Sequence, residues 1–150
     1  NAPVSDKAIQ CPSDTEKPSN SYSSGYGRRR SYSMNGQTDA TQVSFNWGPA
    51  SRGKVLSFSK IPDTSGTIAL TDRPTSKNLA GFSSNASVKN TFYQRDSAIG
   101  KNLHGVWVFN YLFCDGHVKK YRQQDTIGPN GNLSSSLSSS YGMWSVFPND

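Results

Sequence analysis

The chain has 150 residues, with 16 Lys+Arg against 10 Asp+Glu, 33% hydrophobic residues and two cysteines, which bounds it to one domain, 1–150, able to bury about two thirds of its unfolded surface. A net charge of +6 spread over a chain with 7 Phe, 7 Tyr and 3 Trp excludes wholesale disorder, and 25 serines supply most of the polarity. The longest apolar stretch, Val106 to Phe113, falls far short of the roughly 20 residues of a bilayer crossing, and apart from Arg28-Arg29-Arg30 the basic residues are scattered, so despite a pI near 9.4 no nucleic-acid partner is expected.

Residues 1–27 are dominated by Ser, Pro, Asp, Lys and Gly without apolar period and read as extended loop, with Cys11-Pro12-Ser13-Asp14 as a compact landmark. The opening Asn1-Ala2-Pro3 lacks both Met and a signal-peptide pattern and reads as a cut inside a longer protein. Arg30 to Met34 alternates as a short strand ending at the turn dipeptide Asn35-Gly36. Lys54 to Ile61 alternates again and is expected to be a strand, stopped by Pro62-Asp63-Thr64-Ser65-Gly66. Thr67 to Asp72 is β-rich and should pair in the same sheet. Arg73 to Asn102 is polar and broken by Pro74, Gly81 and Gly100, leaving a long loop with one short helical turn near Tyr93 to Ile99.

The strongest local signal runs from His104 to Arg122. Val106 to Cys114 is β-branched and aromatic, Asp115-Gly116 is hairpin chemistry, and His117 to Arg122 returns with alternation. A two-residue Asp115-Gly116 loop places Cys114 opposite His117 and Phe113 opposite Val118, with Phe113, Tyr111 and Val118 facing the core. Beyond Arg122 the chain is loop with a Ser134 to Ser140 tract, until Tyr141 to Phe147 supplies late apolar anchors.

Candidate chemistry is sparse. His104, Asp115 and a serine do not form a triad setting, for no Gly-x-Ser-x-Gly elbow occurs. Paired glycosidase carboxylates and a phosphate-cradling glycine loop are missing too. No cofactor is expected. Three states stay open for the thiols: a Cys11–Cys114 disulfide, contributing roughly 4–5 kcal/mol in an oxidising compartment; a zinc set of Cys11, Cys114 and His117, one ligand short; or free, buried side chains.

Taken in order, Cys11-Pro12-Ser13-Asp14, Ser31 to Gly36, Ile61 to Asp72, and His104 leading to Asn110-Tyr111-Leu112-Phe113-Cys114-Asp115-Gly116-His117-Val118 resemble the prepilin-type, processing-associated H-X9-DG proteins, bacterial proteins akin to type IV pilins and type II secretion pseudopilins. Ten residues rather than nine separate His104 from Asp115, and the extra one reads as a β-bulge. The resemblance implies an α+β, pilin-like head with a mainly antiparallel sheet and long loops, anchored by an N-terminal apolar helix upstream of Asn1. It implies a non-enzymatic, extracytoplasmic component of a pilus-like or secretion-like assembly, partnered by other pilin-like subunits or secretion-machinery proteins and touching the membrane only through that helix. His104, Asn110, Asp115, Gly116 and His117 are then motif residues of structural rather than catalytic use. The rival expectation is an exported binding module for carbohydrate or another ligand, which exposed aromatics would favour; burial of Trp47, Trp107 and Trp144 would favour the pilin-like head.

Overall fold

A computed structural model describes residues 10–15, 30–35, 57–73, 103–128 and 142–146. Within them four strands, β1 (Tyr32–Met34), β2 (Ile68–Asp72), β3 (Val108–Phe113) and β4 (Val118–Arg122), form one antiparallel sheet in the order β1-β2-β3-β4. The helical structure among the described residues is 3-10 only, at Phe58–Lys60, Gln123–Thr126 and Gly142–Trp144, and no helix there is long and apolar enough to cross a membrane. The mainly antiparallel sheet expected from the sequence is present. The helical turn expected near Tyr93 to Ile99, and Trp47, lie outside the described residues.

Alternation builds the core. In β3 the buried residues are Phe109, Tyr111 and Phe113, with half-buried neighbours between them. They pack with Ile68, Ile127 and Trp144, and Tyr121 and Met143 close over them. Tyr111 meets Trp144 edge to face, ring centroids 6.0 Å apart and planes at 87°, the arrangement the ring quadrupoles favour. Trp144 is fully buried, and its indole N–H donates to Thr126 Oγ1 at 2.8 Å, whose hydroxyl donates in turn to the Gln123 carbonyl at 2.6 Å. A Trp can therefore sit in this core without an orphaned donor. Trp107 is half-buried in the turn before β3.

Asn35 serves the core more than a turn. It bridges to β2 through its N–H to the Ala69 carbonyl at 2.8 Å, and its fully buried side chain donates from Nδ2 to the carbonyls of Ile68 (2.8 Å) and Trp144 (3.0 Å). One amide thus joins β1, β2 and the Gly142–Trp144 segment.

The hairpin is real, but its loop has three residues. Phe113 N–H donates to the His117 carbonyl, Gly116 N–H donates to the Phe113 carbonyl, and Leu112 pairs with Val118, Tyr111 with Lys119 and Phe109 with Tyr121. Cys114, Asp115 and Gly116 make a turn closed by Gly116 at φ 96°, while Asp115 is not among the positive-φ residues. This is the turn-plus-left-handed-residue solution rather than the two-residue loop, which needs positive φ at both positions. The expected register is therefore off by one on β4. Cys114 does not face His117, and Val118 leaves the core face and is 64% exposed. His117, Lys119 and Tyr121 take the places beside Phe113, Tyr111 and Phe109.

A second irregularity lies in β2. Ile68 pairs with Phe113 and Leu70 with Leu112, a register shift that makes Ala69 an inserted residue. The bulge lets Ile68 and Thr71, three residues apart, both meet core-facing residues of β3, which strict alternation forbids. The bulge expected between His104 and Asp115 is not on β3, whose pairing with β4 is regular.

The strand expected over Lys54 to Ile61 is corrected where the chain is described: Phe58–Lys60 is a 3-10 turn, with Lys60 and Ile61 N–H groups donating to the Ser57 and Phe58 carbonyls. Residues 57–60 are all exposed, so the alternation has no core to face, and the Ser57 and Ser59 hydroxyls bond each other at 2.8 Å instead. The Pro62 to Gly66 turn forms as expected: Asp63 Oδ1 accepts from Ser65 Oγ (2.9 Å) and Gly66 N–H (2.8 Å).

Candidate functional site

Three segments distant in sequence meet beside β1 and β2. The first is the Cys11 to Asp14 turn, in which Asp14 N–H donates to the Cys11 carbonyl at 2.9 Å and which buries the Cys11 side chain. The second is the end of β2, where Asp72 is fully buried and its Oδ2 accepts the Asn110 N–H at 2.7 Å. The third is the turn ahead of β3, which carries His104 and is shaped by Gly105 at φ 125° and Trp107 at φ 63°.

His104 Nε2 lies 3.5 Å from Cys11 Sγ and 3.3 Å from Asp72 Oδ2. The ligand atoms of Cys11, Asp72 and His104 all lie within 4.8 Å of one another. The His104 side chain is 13% exposed and that of Asp72 is 0%, so the corner is nearly closed to solvent. Burial pushes the Asp72 pKa up, while the Asn110 N–H and His104 pull it back and Asp14 raises it further. Tyr32 borders the group and hydrogen-bonds Cys11; burial, then Cys11 itself, pushes its hydroxyl up to about 12. Asp72 Oδ1 is buried with no hydrogen-bond partner among the described residues.

The geometry limits the chemistry. In a nucleophile–base–carboxylate relay the two partners engage opposite ring nitrogens of the histidine. Here thiol and carboxylate both face Nε2, so His104 is not set to take a proton from Cys11 while Asp72 orients it.

At the hairpin tip the expected site residues part company with this group. Cys11 and Cys114 are both free thiols, so of the three states the sequence left open the structure has the free side chains and not the disulfide. The zinc set of Cys11, Cys114 and His117 is likewise not assembled: among the described residues Cys11 groups with Asp72 and His104. Burial, then the Asp115 carboxylate, pushes the Cys114 thiol up to about 11, which keeps it protonated at neutral pH. Asp115 instead caps its own turn, Oδ1 accepting the His117 N–H at 3.1 Å and meeting the His117 ring Nδ1 at 2.7 Å. The tip is held from outside as well, since Cys114 and Asp115 N–H groups donate to the Thr67 and Thr64 carbonyls.

Asp72 is the member of the group that sequence reading missed. It closes a β-rich run and looks like a turn acid; the available signal was its place inside a strand, where an ionisable side chain needs a partner. No family of known proteins, no curated protein and no solved structure matches the chain.

Proposed function

We propose that this chain is the non-enzymatic head of a pilin-like or pseudopilin-like subunit of an extracytoplasmic assembly. On this reading an apolar helix precedes the head and anchors it, and the partners are other pilin-like subunits or secretion-machinery proteins. The observation that carries the reading is that the motifs behind the family resemblance engage one another. Cys11 of the first meets His104 of the last, the Ser31 to Asn35 segment pairs with Ile68 to Asp72, and the Thr64 and Thr67 carbonyls hold the Asp115-Gly116 turn. Contacts of this kind, which join distant segments of one sheet, suit a structural head. Burial of Trp144 takes one large aromatic away from the rival carbohydrate-binding surface.

The test is fractionation of the source cells followed by detection of the chain with a specific antibody. The expected result is recovery in the membrane and sheared-surface fractions, with co-purifying pilin-like subunits; recovery only as a free cytosolic protein overturns the proposal.

A further inference from the structure

We propose that Cys11, Asp72 and His104 form a binding site for a borderline-soft divalent cation of the zinc type. Tetrahedral zinc with its usual bond lengths, about 2.3 Å to sulfur and about 2.0–2.1 Å to nitrogen and oxygen, sets its sulfur and nitrogen ligands roughly 3.5 Å apart and its nitrogen and oxygen ligands roughly 3.3 Å apart. The corresponding separations here are 3.5 Å for Cys11 Sγ to His104 Nε2 and 3.3 Å for His104 Nε2 to Asp72 Oδ2. Two of the three edges such an ion requires are thus already set, and the third, between Cys11 Sγ and the Asp72 carboxylate, lies within 4.8 Å.

Hydrogen bonding alone accounts for this group poorly. One imidazole nitrogen carries at most one proton, yet Nε2 faces two groups. The 3.3 Å approach to Asp72 is longer than the usual N–H to oxygen bond. Asp72 Oδ1, fully buried, has no hydrogen-bond partner among the described residues, a costly arrangement for a carboxylate without a counter-charge. A cation resolves the first two and gives the buried carboxylate its counter-charge. Asp72 Oδ2 is oriented by the Asn110 N–H and Cys11 is hydrogen-bonded by Tyr32, the kind of outer support that metal ligands ordinarily have. Binding releases the Cys11 thiol proton to solvent and leaves the imidazole proton on His104 Nδ1. Three protein donors leave one coordination position for water. The ion would tie the 10–15 segment, the end of β2 and the turn before β3 to one another, a role independent of the proposed pilin-like assembly.

The experiment treats the purified chain with chelator, then titrates it with Zn²⁺ by calorimetry and with Co²⁺ by absorption. Expected are one equivalent bound, a higher thermal midpoint with metal, and a thiolate-to-cobalt absorption band. Cys11→Ser and His104→Gln should each lower the affinity at least about tenfold, and Cys11→Ser should abolish the band. Cys114→Ser and His117→Gln should leave both unchanged. Circular dichroism without metal shows which variants fold; should a ligand variant not fold, the band in the parent and in Cys114→Ser decides alone. Absence of that band in the parent, or uptake insensitive to Cys11→Ser, overturns the assignment.

Discussion

The imidazole of His117 lies flat on the ring of Phe113, centroids 4.3 Å apart and planes within 3° of parallel. The same imidazole reaches Asp115, and the His117 N–H and ring together hold the Asp115 carboxyl below its usual range. A carboxyl whose pKa is depressed on folding stabilises the fold above its unfolded pKa, near 3.9, and that contribution disappears as pH falls through the lower folded value. Asp115→Asn keeps an acceptor for the N–H and removes the charge. The difference in thermal midpoint between parent and variant should shrink as pH falls below about 4. A difference that widens below about pH 4 contradicts this.

Two glycines at positive φ should respond unequally to alanine. At Gly116, φ 96°, an added Cβ meets nothing within 4 Å, so Gly116→Ala should cost only the backbone strain, about 1–2 kcal/mol. At Gly142, φ 55°, the Cβ falls 2.6 Å from both the Gly128 nitrogen and the Ile127 carbonyl carbon. These are backbone atoms that cannot swing aside, and Gly142→Ala should cost about 3 kcal/mol or more. Urea unfolding of both variants ranks them; equal losses would refute the close approach.

Asn35→Ala should destabilise by about 2 kcal/mol or more, because it strands two buried carbonyls rather than merely losing one side chain. Hydrogen exchange should show the loss concentrated at the β1–β2 pairing and at residues 142–146. A uniform small effect would mean that water replaces the amide without cost.

The three-residue hairpin loop makes Val118 a surface residue. Val118→Thr should change stability by less than about 0.5 kcal/mol. Tyr121, half-buried with its ring 6.1 Å from that of Phe113 and 6.4 Å from that of Tyr111, should cost at least about 1.5 kcal/mol as Tyr121→Ala. Denaturant midpoints of the pair distinguish the observed register from one shifted by a residue, which reverses the order.

Local rules read the hairpin, β1, β2 and the Asp63 turn correctly because each is decided within a few residues by alternation and turn chemistry. They misplaced β4 because Asp-Gly is compatible with both loop lengths, and the choice rests on backbone held by Thr64 and Thr67 far upstream. The alternation of Lys54 to Ile61 misled because period two reports a strand only when one face is covered. The Ala69 bulge hid that Thr71 belongs to the core face with Ile68. Cys11 and His104 could be noted singly, but their meeting at Asp72 is a property of sheet order, since 93 positions separate the thiol from the imidazole.

The unequal shelter of the two thiols gives the chain a built-in pair of reporters. Cys11 is buried at a junction of three segments, whereas Cys114 sits half-buried in a tight turn. Modification of Cys114 by a thiol reagent samples fluctuation of the hairpin tip. Modification of Cys11 requires the junction itself to open, so its rate follows the free energy of that opening when reclosure is fast. The ratio of the two rates, in one tube and without mutation, separates fraying of a turn from release of the 10–15 segment from the sheet.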